Sequence, residues 1–170
     1  MIRIETVDSH QQLREFVRFP LRIYSNDSPW VPPIWNDEIK RLDHNQGPFF
    51  EHSTAQLFIA RDNAGTPLGR IAAIRFNGHL EVYNDDVGFF GFFECINEQT
   101  VADQLINTAK NWLLEQGLRK MRGPTSFTIN ELIGLLIENF DAPPTLLTTW
   151  NPPYYQKLLE NVGLVKSEDL

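Results

Sequence analysis

The order of patterned segments predicts a mixed α/β (α+β) fold, a mostly antiparallel central sheet flanked by helices, in one domain spanning residues 1–170. Three observations carry this reading. Short runs of alternating apolar residues mark strands at the start and in the middle of the chain. Three strand-like runs between Thr54 and Cys95 follow one another through Gly/Asn/Asp turns, as in a β-meander. Two later segments carry apolar residues at helical spacing and end on glycine.

Each element has a local reason. "MIRIETV" alternates Ile2 and Ile4 with charged residues and reads as a strand. In "DSHQQLREFVRFPLRIY", Ser9 and Gln12 form a capping-box pattern. Leu13, Phe16, Val17, Leu21 and Tyr24 follow at helical spacing, and Pro20 divides the helix. "NDSPWVPP" is a proline-stiffened loop and "IWNDEIKRLD" a short second helix. "TAQLFIARD" and "LGRIAAIRF" are strands joined by the turn "NAGTP"; "NGH" breaks the pattern and "LEVYNDD" leads into the third strand of the meander. "EQTVADQLINTAKNWLLEQG" is the clearest helix, with Val101, Leu105, Ala109, Trp112 and Leu113 in one stripe and Gly117 past its end. "LRKMRGPTSF" reads as a strand that exits into a loop, "INELIGLLIENFD" as helix or strand, and "TLLTTW" as a strand. "PPYYQKLLENVG" is a helix with proline at its start, and "LVKSEDL" begins a last strand.

Composition narrows the function classes. Hydrophobic residues make up 42% and charged residues 22%, ordinary globular values. A net charge of -7 repels phosphate backbones and anionic lipid, so neither nucleic acid nor a membrane surface is the expected partner. The one cysteine excludes a disulfide framework and a cysteine-rich zinc site; the four histidines show no metalloprotease spacing. "MIRIETVDSH" is too polar for a signal peptide, and no apolar run approaches the ~20 residues that span a bilayer. A cytoplasmic protein is expected.

The stretch with most chemistry in it is "VGFFGFFEC", Val87 to Cys95. Strand alternation puts Phe90, Phe92 and Glu94 on one face and Phe89, Gly91, Phe93 and Cys95 on the other. A carboxylate delivered to a strand end among aromatic rings is desolvated, which raises its pKa and suits it to act as a base. The alternative is a solvated strand-end carboxylate. Cys95 reads as a small buried hydrophobe rather than a nucleophile. His52 suits a substrate loop or the surface, and His79 a turn. Arg119, Lys120 and Arg122 make a basic cluster that suits a phosphate contact or a solvated face. Trp30 beside "VPP" and Tyr154–Tyr155 after "NPP" suit the walls of a cleft as well as ordinary loop packing.

The element order resembles that of the GCN5-related N-acetyltransferase (GNAT) superfamily, most clearly over residues 54–170. The resemblance rests on the meander ending in "GFFGFFEC", the helix that follows it, and the late "NPPYYQKLLENVGLV". The phrases "WVPP", "GPFFEH", "GRIAAI", "GFFGFFE", "RGP" and "NPPYY", in that order, resemble a bacterial branch whose members run longer, so the chain is expected to be a fragment or shortened form. The resemblance implies transfer of an acyl group from acetyl-CoA or another acyl-CoA to a small-molecule or peptide amine. In those terms Glu94 is the catalytic base, and backbone groups around Phe93, Cys95 and Ile96 meet the pantetheine and thioester. The helix start at Glu98, Gln99, Thr100 and Val101 faces the pyrophosphate, with Thr100 as its cap. Asn130 is a polar cofactor contact or a helix cap. Counted back from Gly163, the family's acid falls on Leu159, and Tyr155, one turn earlier, takes that role if the helix is placed differently.

The chain departs from the family at the pyrophosphate loop. The usual Gln/Arg-x-x-Gly-x-Gly/Ala is replaced by "CINEQTVADQ", with no glycine and with Glu98 and Asp103 nearby. Two further readings therefore stand beside the acyltransferase: a GNAT-fold interaction domain that has lost CoA binding, and one lobe of a larger two-lobed protein. In the second case "LVKSEDL" pairs with sequence outside this chain, or a homodimer covers the exposed edge.

Overall fold

The computed structural model describes residues 1–24 and 28–169. Of the predicted loop "NDSPWVPP", Asn26 and Asp27 lie outside the described residues. Five strands form one sheet in the order of the chain: β1 (Arg3–Thr6), β2 (Thr54–Arg61), β3 (Pro67–Arg75), β4 (Val87–Cys95) and β5 (Lys120–Arg122). The first three pairings are antiparallel, while β4 and β5 run parallel. The mixed, mostly antiparallel sheet expected from the sequence is therefore present.

Helices cover both faces. Helices α1 (His10–Arg18) and α2 (Trp35–Leu42) lie over one face, where Phe16, Val17, Leu57, Ile59, Ile74 and Phe89 are buried. Later in the chain come α3 (Asn77–Tyr83), α4 (Gln99–Glu115) and α5 (Tyr154–Asn161). α4 and α5 lie over the other face, on Phe58, Ile71, Ala73 and Phe90. With both faces closed, β4 is buried along its whole length, which explains its unbroken apolar run.

The end signals act as read. The Ser9 hydroxyl accepts from the Gln12 amide at 3.2 Å, and the Ser9 amide donates to the Gln12 side chain at 3.0 Å, closing the capping box of α1. Pro20 ends the regular helix in a 3₁₀ turn, Phe19–Arg22. Gly117, at φ 80°, completes a Schellman ending: its amide donates to the Leu114 carbonyl at 3.0 Å, and that of Leu118 to the Leu113 carbonyl at 2.9 Å. Gly163 ends α5 in the same way.

Four expectations are corrected. "NGHLEVY" forms the short helix α3, ended by Asn84 in the left-handed conformation. Residues 129–141 form neither helix nor strand beyond one bridge, Thr125 to Ile133. "TLLTTW" is not a strand, because its backbone turns back on itself: the Thr148 amide donates to the Thr145 carbonyl at 3.2 Å and Leu147 sits in the left-handed region at φ 61°. "LVKSEDL" forms no strand over its described residues, where no neighbouring strand takes up its backbone groups.

Two departures from regular pairing shape the site. Arg70 stands opposite Glu94 and Ala72 opposite Gly91, so Ile71 alone faces both Phe92 and Phe93. This β-bulge puts Phe92 in the left-handed region, at φ 52°. It also resets the alternation. Phe89 and Phe92 lie on the α1/α2 side, and Phe90, Phe93 and Cys95 on the α4/α5 side, so the simple face assignment of Phe90 with Phe92 is corrected. In addition, β5 pairs with β4 only over Val87–Phe89. After one more bond, Thr125 amide to Phe90 carbonyl at 2.8 Å, the chains part and β4 runs on to Cys95 paired with β3 alone.

Candidate functional site at the end of β4

Where the two strands part, a cavity of about 500 Å³ opens, lined by residues from both sides of the sheet. Its walls come from the helical N-terminal region (Val17, Pro20, Tyr24), the proline loop (Trp30, Val31, Pro33), β4 (Phe92, Phe93, Glu94) and the irregular segment after β5 (Leu132, Leu135, residues 144–151). The walls are mainly apolar, and the mouth carries exposed aliphatic side chains, Leu146 at 90% and Val31 at 64%. Asn151 holds the far wall by accepting from the Leu136 amide at 2.8 Å and donating to its carbonyl at 3.2 Å.

Glu94 lies in this wall with only 9% of its surface exposed. Its Oε2 accepts from two phenols, Tyr24 at 2.6 Å and Tyr155 at 2.7 Å. Its Oε1 lies 3.6 Å from Nη2 of Arg70, the residue opposite it on β3. Burial raises the carboxyl pKa, against the opposing pull of the Arg70 charge and the two phenols. The phenols of Tyr24 and Tyr155 are themselves pushed well above their ordinary range by burial and the adjacent carboxylate, so both stay protonated donors. Arg70 is held by the Phe16 carbonyl at 2.7 Å and lies over the Phe16 ring at 5.0 Å. A second cation, Arg41 of α2, lines the cavity over the Phe92 and Phe127 rings and is paired with Glu38 and Glu131.

The other candidates fall elsewhere. Cys95 is buried behind Glu94 on the α4/α5 side, its thiol pushed up to about 12 by burial. Its amide donates to the Tyr155 hydroxyl and its carbonyl accepts from that of Tyr154, each at 2.9 Å. The Ile96 amide is taken by the Leu68 carbonyl at 3.0 Å. Glu98 is the N-cap of α4, without a side-chain bond, so the cap is not Thr100. Gln99 bonds Asp103, the Leu158 carbonyl and Asn161, which ties α4 to α5. Neither Thr100 nor Val101 lines the cavity, and Val101 is a core residue. Asn130 is exposed in a turn with no helix after it, its amide 3.3 Å from the Thr128 hydroxyl. The His52 side chain is 88% exposed. His79 sits in α3, 3.1 Å from the Asp85 carboxylate. Arg119, Lys120 and Arg122 are exposed.

Glu94, Tyr155, Phe93 and Trp30 thus meet at one cavity, while the residues proposed for the pyrophosphate stand apart from it. Sequence reasoning missed Tyr24 and Arg70. Arg70 carried a signal: a charge inside the apolar strand "LGRIAAI" needs a buried partner. Tyr24 carried none beyond its place in the apolar stripe of the first helix.

No family model matches the chain. Protein YghO of Escherichia coli (strain K12) is 36% identical over 169 residues, which cover 98% of this chain and 42% of that protein. The Bacterial ceramide synthase of Caulobacter vibrioides is 31% identical over 171 residues, covering 96% of this chain and 43% of that protein. The chain therefore spans less than half the length of the curated relatives it matches. A solved Pyrococcus furiosus structure named "Putative acetyl transferase" matches 100% of this chain and 96% of its own, with a TM-score of 0.53 at 12% identity. The chain has the fold of the GNAT acetyltransferases, and the two bacterial relatives agree with the bacterial branch its sequence resembles. Among the described residues no helix is long and apolar enough to cross a membrane.

Proposed function

We propose that this chain is an acyltransferase domain that moves an acyl group from a thioester to an amine, with Glu94 as the proton acceptor. The observation that carries the reading is the placement of Glu94. A buried carboxylate with a raised pKa stands in the wall of an apolar cavity where β4 loses its β5 neighbour. The GNAT fold supports it. So does the name of the Caulobacter relative, since a ceramide is the amide of a long-chain amino alcohol with a fatty acid. An apolar cavity ending in one carboxylate suits an amine on a long hydrocarbon chain. The amine nitrogen bonds to the thioester carbon, the carbon–sulfur bond breaks with its electron pair leaving on sulfur as the thiolate, and the proton lost by the amine passes to Glu94. Tyr24 and Tyr155 hold the carboxylate.

Acyl-CoA is the donor implied by the fold. The start of α4 does not fit its pyrophosphate: it has no glycine, it carries Glu98 and Asp103, and the Cys95 and Ile96 amides before it are already bonded. The carbonyl of Cys95 is capped as well. The same observation favours a second reading, a GNAT-fold interaction domain without CoA binding. Thermal shift separates the two. A donor at 100 times its Kd adds about 2.7 kcal/mol of stability. The acyltransferase reading expects a shift with at least one acyl-CoA in a series from acetyl to long-chain, and an amide product by mass spectrometry when a long-chain amino alcohol is added. A flat series with no amide product contradicts it.

A further inference from the structure

We infer that Tyr24 is a positioning residue for Glu94, tying the carboxylate to the two tryptophan-bearing loops that wall the cavity. The inference rests on the acyltransferase reading for its kinetic consequences, though not for its physical test. Tyr24 follows the 3₁₀ turn that Pro20 creates, which carries the chain from α1 to the end of β4. Its hydroxyl donates to Glu94 Oε2 at 2.6 Å, across 70 residues of sequence. Its ring stacks on Trp30 with centroids 4.6 Å apart and planes at 26°, and meets Trp150 edge-on at 5.4 Å and 70°. Trp30 belongs to the proline loop and Trp150 to the segment after β5, and all three rings line the cavity. One side chain therefore contacts both loops and the carboxylate.

The bonding pattern also distinguishes the two carboxylate oxygens. Oε2 takes both phenols. Oε1 faces the Arg70 guanidinium, with Nη2 at 3.6 Å in an ion pair. The groups facing Glu94 are Arg70 from β3, Tyr24 from the N-terminal turn and Tyr155 from α5; Glu38 and Arg41 of α2 share the cavity wall. Tyr24 stabilises the ionised carboxylate against its burial, and packing of the two loops on its ring keeps the hydroxyl in place.

The test is the titration of Glu94 itself. With glutamate labelled at the carboxyl carbon, ¹³C NMR follows each carboxyl with pH, and Glu94→Gln assigns the signal. Tyr24→Phe keeps the ring and removes the hydroxyl. The expected result is an upward move of the Glu94 midpoint by about half a unit or more, since one hydrogen-bond donor to the ionised form is lost. Trp30→Leu keeps the hydroxyl and loosens the stack, and is expected to move the midpoint in the same direction by less. An unchanged midpoint in folded Tyr24→Phe overturns the inference. If Tyr24→Phe does not fold, Trp30→Leu decides alone: a shift supports the inference and no shift overturns it. In the acylation assay, Tyr24→Phe is expected to lower kcat about tenfold at neutral pH, move the acid limb upward and leave the KM for the amine unchanged. An inactive wild-type protein would fail the acyltransferase reading while leaving the titration intact.

Discussion

Glu94 and Cys95 are neighbours with opposite fates. The bulge at Phe92 turns Glu94 toward the cavity and Cys95 into the core beneath α4 and α5. For Glu94 the folded pKa lies above its ordinary 4.5, so the native state holds this proton more tightly than the unfolded chain does. Its contribution to stability is therefore fully present below pH 4.5 and is lost as pH rises through the folded pKa, while a base role requires the ionised form. The acid limb of kcat/KM is expected above pH 4.5, and it should disappear in Glu94→Gln together with most of the activity. For Cys95 the shift is from 9.0 to about 12. The native protein should resist alkylation at pH 8 and react once denatured, and its stability should fall as pH rises from 9.0 toward 12. Rapid alkylation of the folded protein would contradict the burial of this thiol.

The elements divide into those with local causes and those without. The capping box of α1, the glycine endings of α4 and α5, and the strands β1 to β4 were legible because each rests on residues a few positions apart. Ser9→Ala should cost about 1 kcal/mol in a denaturation experiment. The bulge was not legible. It depends on the register of β3 against β4, where Ile71 meets two residues, and the run "GFFGFF" shows no break in alternation. The segment after β5 was misread because its backbone groups are satisfied by Thr149, Trp150 and Asn151 rather than by a ladder. Gly91 links these two regions. A Cβ there would lie 1.6 Å from the Thr125 carbonyl oxygen, where the departing chain crosses β4. Gly91→Ala is expected to destabilise by about 3 kcal/mol or more and to disturb the cavity. Loss of under ~1 kcal/mol, measured by denaturant unfolding, would mean that the crossing is looser than described.

For the whole molecule, the site is assembled from distant parts of the chain, and this limited what could be read in advance. Glu94 was found from its own strand. Its partners Tyr24, Arg70 and Tyr155 lie 70, 24 and 61 positions away, and only the three-dimensional fold brings them together. The cavity wall is mainly apolar, and its charged residues are two carboxylates, Glu38 and Glu94, set against two arginines, Arg41 and Arg70. The central claim, that Glu94 accepts the proton of the acceptor amine, is tested most directly by the rate of amide formation in Glu94→Gln. The account predicts a fall in kcat of at least about 100-fold, within the usual range for loss of a general base, with donor affinity unchanged. Turnover equal to the wild-type rate, at unchanged affinity, would contradict it.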